Sequence, residues 1–181
     1  YVAAIKARVL STNPGLTLVD ISHQIKACDI AHGAFVLKSV FRDFPKGTVH
    51  LVAVDAAGGR DDAFIAMQLE DHYFVSVDNG ILGLISDKPQ QNVVELNSLT
   101  SITTSFPEKD ILAPAAAKLA SGVSITTLGK PLLDYRKMTD RRVKATKKQK
   151  FGHAIRVDND GNLIINIERE IFELLSKGKG N

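Results

Sequence analysis

Thr48-Val49-His50-Leu51-Val52-Ala53-Val54-Asp55 is the stretch that decides the fold. Its apolar, β-branched run is short and bounded by turn signals, which reads as a buried strand. Pro45-Lys46-Gly47 breaks the chain just before it. Upstream of that break, Ile30, Ala34, Leu37, Phe41 and Phe44 recur at helical spacing. They predict an amphipathic helix with Asp29 near its start, where a carboxylate suits the helix dipole. Leu16 to Asp20 reads as a further short strand. Before it, Ala3, Ala4, Ala7 and Leu10 predict a helix that Asn13-Pro14-Gly15 stops.

Downstream, Ala63 to Leu69 and Tyr73 to Val77 flank Glu70-Asp71-His72 and predict a hairpin. Val93 to Leu96 predicts another strand, and Asp110 to Leu119 a helix with Pro114 in its first turn, where proline is tolerated. Residues 129–150 are polar and basic and read as a linker. Gly152 to Val157 and Leu163 to Ile167 predict a second hairpin, and Glu168 to Leu175 a short helix. The alternation of strands and helices predicts an α/β fold, an α/β/α sandwich around a mostly parallel sheet. Residues 1–128 make that domain, 129–150 the linker, and 151–181 the beginning of a β-rich, barrel-like C-terminal domain.

The chain has 181 residues, with 44% hydrophobic and 24% charged, the balance of a folded globule rather than a disordered or fibrous chain. Its 23 Lys and Arg exceed its 20 Asp and Glu only because of residues 136–150, which hold eight bases and one acid. Outside that segment 15 bases face 19 acids, so the basicity is local. The segment carries no stacking aromatic besides its charges, and a solvated linker explains it better than a nucleic-acid patch. No apolar run is long enough to span a membrane. The single cysteine, Cys28, forms no internal disulfide, and no signal-peptide pattern is present. Together these point to a cytoplasmic protein that binds neither nucleic acid nor membrane.

Four apolar runs end in aspartate, at Asp20, Asp55, Asp78 and Asp158. In open α/β sheets ligands bind outside the carboxyl ends of the strands, where carboxylates hold a diol, a metal or a cationic group. An aspartate there also starts turns and caps helices, and both readings stay open for any one of the four. Asp55 and Asp78 are expected to converge on one crevice. The five histidines form no metal motif, and no Walker or G-x-G-x-x-G pattern supports phosphate binding. Asp158-Asn159-Asp160-Gly161-Asn162 hints at calcium, but Arg169 stands where an EF-hand needs glutamate. No metal is expected.

The ordered motifs resemble one family over nearly the whole chain. Tyr1-Val2-Ala3-Ala4-Ile5-Lys6, Asn13-Pro14 and Val19-Asp20-Ile21-Ser22-His23-Gln24-Ile25 look like its opening blocks. Phe44-Pro45-Lys46-Gly47-Thr48-Val49-His50-Leu51 with Val54-Asp55, then Val77-Asp78-Asn79-Gly80-Ile81-Leu82, follow in family order. Phe106 with Asp110-Ile111-Leu112-Ala113-Pro114-Ala115-Ala116 comes next, and Asp158 with Gly161-Asn162-Leu163-Ile164 and Asn166-Ile167 closes the series. These blocks are similar to those of the S-adenosyl-L-methionine hydroxide adenosyltransferases, adenosine-forming hydrolases related to the fluorinase and chlorinase.

The resemblance implies a homotrimer with S-adenosylmethionine bound between one subunit's N-terminal domain and its neighbour's C-terminal domain. It also implies an opening strand before Tyr1, with the aspartate that holds the ribose diol, and a C-terminal domain continuing past residue 181. S-adenosylmethionine is the substrate, and no cofactor is expected. The implied activity is hydrolysis to adenosine and methionine by water at ribose C5′. In the hydrolases an Asp–Arg–His set holds that water. Asp55 matches the aspartate, while the histidine position is Pro107 and the arginine position is Asp62. Arg60, on a shortened loop, and Glu108 or Lys109 are the candidates to replace the lost groups. Asp55, Arg60 and Glu108 are therefore the expected catalytic residues. Asp78, Asn79, Phe106, Asp158 and Asn162 are the expected substrate contacts, with Asp158 on the ammonium of the methionine part and Asn162 at its polar end. The alternative is an S-adenosylmethionine- or adenosine-binding protein of the same fold that has lost catalysis with the histidine.

Overall fold

The computed structural model describes the chain except residues 57–62, 97–103, 139–143, 146–149, 158–159, 168, 170–171 and 174–181. It divides into two compact units, Tyr1–Met138 and Thr139–Asn181.

In the first unit, helices α1 (Val2–Thr12) and α2 (Ile30–Val40) form where the apolar spacing places them. The Asp29 carboxylate caps α2, accepting from His32 N at 3.1 Å, which satisfies one of the amides a helix start leaves open. Strand β1 (Val49–Val52) follows, then the hairpin β2 (Phe64–Leu69) and β3 (His72–Val77), the single turn α3 (Ile81–Leu84) and β4 (Gln91–Leu96). Helix α4 (Ala113–Ala120) and β5 (Gly129–Pro131) complete the unit. The strands make one five-stranded sheet in the order β1-β3-β2-β4-β5.

Helices cover both faces, as the α/β/α reading expects. Side chains alternate across a strand, so β2 sends Ile65, Met67 and Leu69 to the face beneath α2, with Phe41 and Phe74. Ala66, Val75, Val77 and Val94 turn to the other face, against Leu112, Ala115 and Leu119. Helix α1 packs behind α4 through Val9, Ala113 and Ala117. Each fully buried Leu, Ile or Phe contributes roughly 1.5–3 kcal/mol by leaving water. Pairing within the sheet is mixed. β1 runs parallel to β3, while β2 is antiparallel to both β3 and β4, and β4 to β5. The two-residue connection Glu70-Asp71 is too short for a parallel crossover and forces the β2–β3 hairpin.

Two features differ from the sequence reading. Leu16 to Asp20 forms no strand. Apolar alternation marks an extended chain, whereas a ladder also needs a neighbouring edge. This segment and β1 line a common cleft instead of pairing with each other. The first unit also continues past residue 128. β5 bonds to β4, and Tyr135 is buried and donates its hydroxyl to Gln90 Oε1.

His50 and His72 lie buried together, with His50 Nε2 3.3 Å from His72 Nδ1, among Phe41, Phe44 and Phe74. Burial pushes the His50 imidazole down to about 4. His50 is thus a satisfied core residue.

The second unit holds two two-stranded antiparallel ladders, β6 (Lys144–Ala145) with β7 (Lys150–Phe151), and β8 (Ala154–Val157) with β9 (Leu163–Ile165). Gly161, at φ 86°, lies in the connection between β8 and β9. The described residues of this unit close no barrel. Most of the expected helix at Glu168 to Leu175 lies outside the described residues.

Candidate active site

β1 is the edge of the sheet, paired only to β3 among the described strands. A cleft of about 1000 Å³ runs along that edge to the strand's carboxyl end. Apolar walls come from α1 and the Leu16–Ile21 segment, and three carboxylates, Asp20, Asp55 and Glu108, reach it from three separate elements.

Asp20 is neutralised locally. Lys6 Nζ donates to it at 2.6 Å and His23 Nε2 lies at 3.1 Å. The Lys6 hydrogen bond, then that of His23, hold its carboxyl below the usual range.

Asp55 follows β1 in a turn and has φ 54°, in the left-handed region that aspartate tolerates better than most residues. Cys28, itself at φ 62°, donates its thiol to Asp55 Oδ1 at 3.4 Å. That hydrogen bond and the adjacent negative charge push the Cys28 thiol up. Asp55 has no ion-pair partner among the described residues.

Glu108 opens a single wide helical turn, Glu108–Leu112, in which Ala113 N–H bonds to Glu108 O five residues back. Such turns inside helices are uncommon and recur at functional sites. Thr104 locks this one, accepting from Phe106 N at 2.9 Å and donating to Asp110 Oδ2 at 2.5 Å. The Thr104 hydrogen bond and Lys109, 2.9 Å from Asp110 Oδ1, keep the Asp110 carboxyl low. The Glu108 carboxylate has no hydrogen-bond or ion-pair partner among the described residues. Pro107, buried just before the turn, offers no side-chain donor or acceptor.

The other expected positions fall elsewhere. Asp78 lies outside the cleft lining and accepts from Arg136 N at 2.9 and 3.1 Å, so the expected convergence of Asp55 and Asp78 on one crevice does not occur. Asn79 is 5% exposed, donating from Nδ2 to Val54 O at 2.8 Å and accepting at Oδ1 from Ile81 N at 3.1 Å. Phe106 packs edge-on against Tyr1, ring centroids 5.1 Å apart. Asn162 is exposed in the second unit. Arg60 and Asp158 lie outside the described residues. Lys6 and His23 as partners of Asp20 have no signal in the sequence beyond their place in the opening blocks, and Cys28 as a partner of Asp55 has none.

A second cavity, about 450 Å³, lies at the other end of β1, by the Glu70-Asp71 turn. Its acids are already paired, Glu70 with Arg42 and Lys88 and Asp71 with Lys46, so its charges serve the fold.

The cleft, lined by Asp20, Asp55 and Glu108 together with Lys6, Lys26 and His23, lies at the carboxyl end of a strand of an α/β/α sandwich, where small polar molecules bind in folds of this class. A family profile described as the SAM hydroxide adenosyltransferase N-terminal domain matches residues 1–129. The chain belongs to that family. It is 28% identical over 177 residues to the (R)-S-adenosyl-L-methionine hydrolase of Methanocaldococcus jannaschii, covering 94% of this chain and 63% of the relative. It is 30% identical over 141 residues to the enzyme of the same name from Thermus thermophilus, covering 71% and 55%. The crystal structure of an uncharacterized conserved protein from Thermotoga maritima superposes with a TM-score of 0.89 at 30% identity, covering 97% of this chain and 70% of that one. The chain thus spans less than two thirds of the length of these two hydrolases.

Proposed function

We propose that the protein hydrolyses S-adenosyl-L-methionine to adenosine and methionine. One observation carries the reading: Asp55 and Glu108 line the same cleft without ion-pair partners among the described residues. The substrate is a sulfonium cation, which the carboxylates of Asp55 and Glu108 attract. Water oxygen bonds to ribose C5′ as the C5′–sulfur bond breaks, and the electron pair leaves on sulfur. The thioether leaves neutral and needs no general acid. The water proton is what must be removed, and a positioned carboxylate accepts it, an effect worth roughly 10²–10⁴-fold in rate. Glu108 follows Pro107, the position at which the resemblance expects a histidine, and supplies a titratable group where proline has none. Asp55 orients the water. Arg60, five residues after Asp55 in the sequence, is the candidate to balance the carboxylates. Asp158 and Asn162 hold the amino-acid part of the substrate in a homotrimer, each site completed by a neighbouring subunit. The reading of a binding protein without catalysis is not favoured, since the two relatives compared are hydrolases by name.

The test is to incubate the full-length protein with S-adenosylmethionine and follow adenosine by chromatography. Asp55→Asn and Glu108→Gln should each lower kcat by about a hundredfold or more. Wild-type rates in both variants would refute the assignment.

A further inference from the structure

β1 ends at Val52, and Asp55 sits two residues beyond Ala53 at positive φ. Its anchor comes from the next strand over. Asn79, at the end of β3, is buried to 5% exposure, and its side chain bonds to backbone at both ends. Nδ2 donates to the carbonyl of Val54, the residue immediately before Asp55, and Oδ1 accepts from Ile81 N at the start of α3. The two contacts fix the amide's orientation, because only one end of it donates.

The clamp is backed from the other side. At Gly33 in α2 an added Cβ would stand 3.0 Å from Val54 Cγ2 and 3.1 Å from Ile81 Cδ1. The missing side chain thus lets α2 press on both residues that Asn79 joins. Cys28, on the loop leading into α2, reaches the Asp55 carboxylate itself.

We propose that Asn79 is a positioning residue, whose amide fixes the β1-exit turn and aims Asp55 into the cleft. The inference rests on the catalytic role assigned to Asp55, but the geometry can be read without turnover. Cys28 reports on Asp55, since the neighbouring carboxylate is what holds its thiol up.

The experiment uses the full-length protein with Asn79→Ala, Gly33→Ala and Asp55→Asn. Two quantities are read: kcat and KM for S-adenosylmethionine, and the pH midpoint of iodoacetamide alkylation at Cys28, resolved by peptide mass spectrometry. Asp55→Asn sets the midpoint for a thiol without its carboxylate neighbour. Asn79→Ala should move the midpoint down to that value, lower kcat at least tenfold, and change KM less than threefold. Gly33→Ala, which pushes on Val54 from the opposite side, should move both in the same direction by less, and it decides the matter if Asn79→Ala does not fold. An unchanged Cys28 midpoint in the folded variants overturns the positioning role. A shifted midpoint in a protein that never releases adenosine supports the positioning role and removes the hydrolase reading.

Discussion

Removing the charge of Glu70 should cost stability at neutral pH and not in strong acid. Glu70 sits in the two-residue turn of the β2–β3 hairpin with Asp71, at φ 50° and 65°. Turns of this hand favour Asn-Gly, so a Glu-Asp pair is strained by about 1 kcal/mol or more. The carboxylate offsets that strain. It accepts from Arg42 Nε at 3.0 Å and Arg42 Nη2 at 2.6 Å, from Ser86 Oγ at 2.6 Å and from Lys88 Nζ at 2.9 Å. The side chain is 12% exposed, and these partners, Arg42 foremost, pull its carboxyl down to about 2 from 4.5. Full linkage over that interval is about 3 kcal/mol, and screening of the half-exposed Arg42 and exposed Lys88 reduces it to roughly 2 kcal/mol. The folded value is depressed. The contribution is therefore complete above pH 4.5 and is lost as pH falls through 2. Urea unfolding of wild type and Glu70→Gln from pH 7 to pH 2 tests this. The difference should be roughly 2 kcal/mol at pH 7 and should shrink towards zero at the acid end. A difference below about 0.5 kcal/mol at pH 7, or one that stays constant on acidification, would refute the reasoning.

Phe41 is fully buried among His50, His72 and Phe74, and Phe41→Ala should cost about 3–5 kcal/mol in urea unfolding. A Cβ at Gly129 would stand 1.8 Å from Glu95 O, a backbone atom. Gly129→Ala should break the β4–β5 pairing and cost about 1–3 kcal/mol or more, seen as lost amide protection at Glu95 and Lys130 in hydrogen exchange. Asp158→Ala should weaken S-adenosylmethionine binding far more than adenosine binding in calorimetry, because its proposed partner is the amino-acid part. Equal losses for the two ligands would count against that role.

The elements legible in the sequence are those whose periodicity has one physical solution. Ile30, Ala34 and Leu37 can share a face only on a helix, and the alternation in Phe64–Leu69 and His72–Val77 places alternate residues in two different cores. What the sequence did not reveal depends on neighbours. Leu16 to Asp20 has a strand's composition, yet it lines a cleft with the free edge of β1 and pairs with no strand among the described residues. β5 is three residues inside a polar stretch, and only pairing with β4 makes it a strand. At the site, aspartates at strand ends were visible, but not where they point. Asp20 and Asp55 line the cleft, while a backbone amide of Arg136 occupies Asp78. Asn79 in Asp78-Asn79-Gly80 looks like any good turn residue, and its reach to Val54 is a property of the sheet. Glu108 was suggested by the position of Pro107 in the family block, whereas the wide turn that presents it leaves no mark in composition.

Turnover of S-adenosylmethionine by the full-length protein in water enriched in oxygen-18 tests the central claim most directly. Attack of water on C5′ predicts adenosine carrying the heavy oxygen in its 5′-hydroxyl, released one-for-one with methionine. Unlabelled adenosine, or substrate bound and recovered intact, would contradict it.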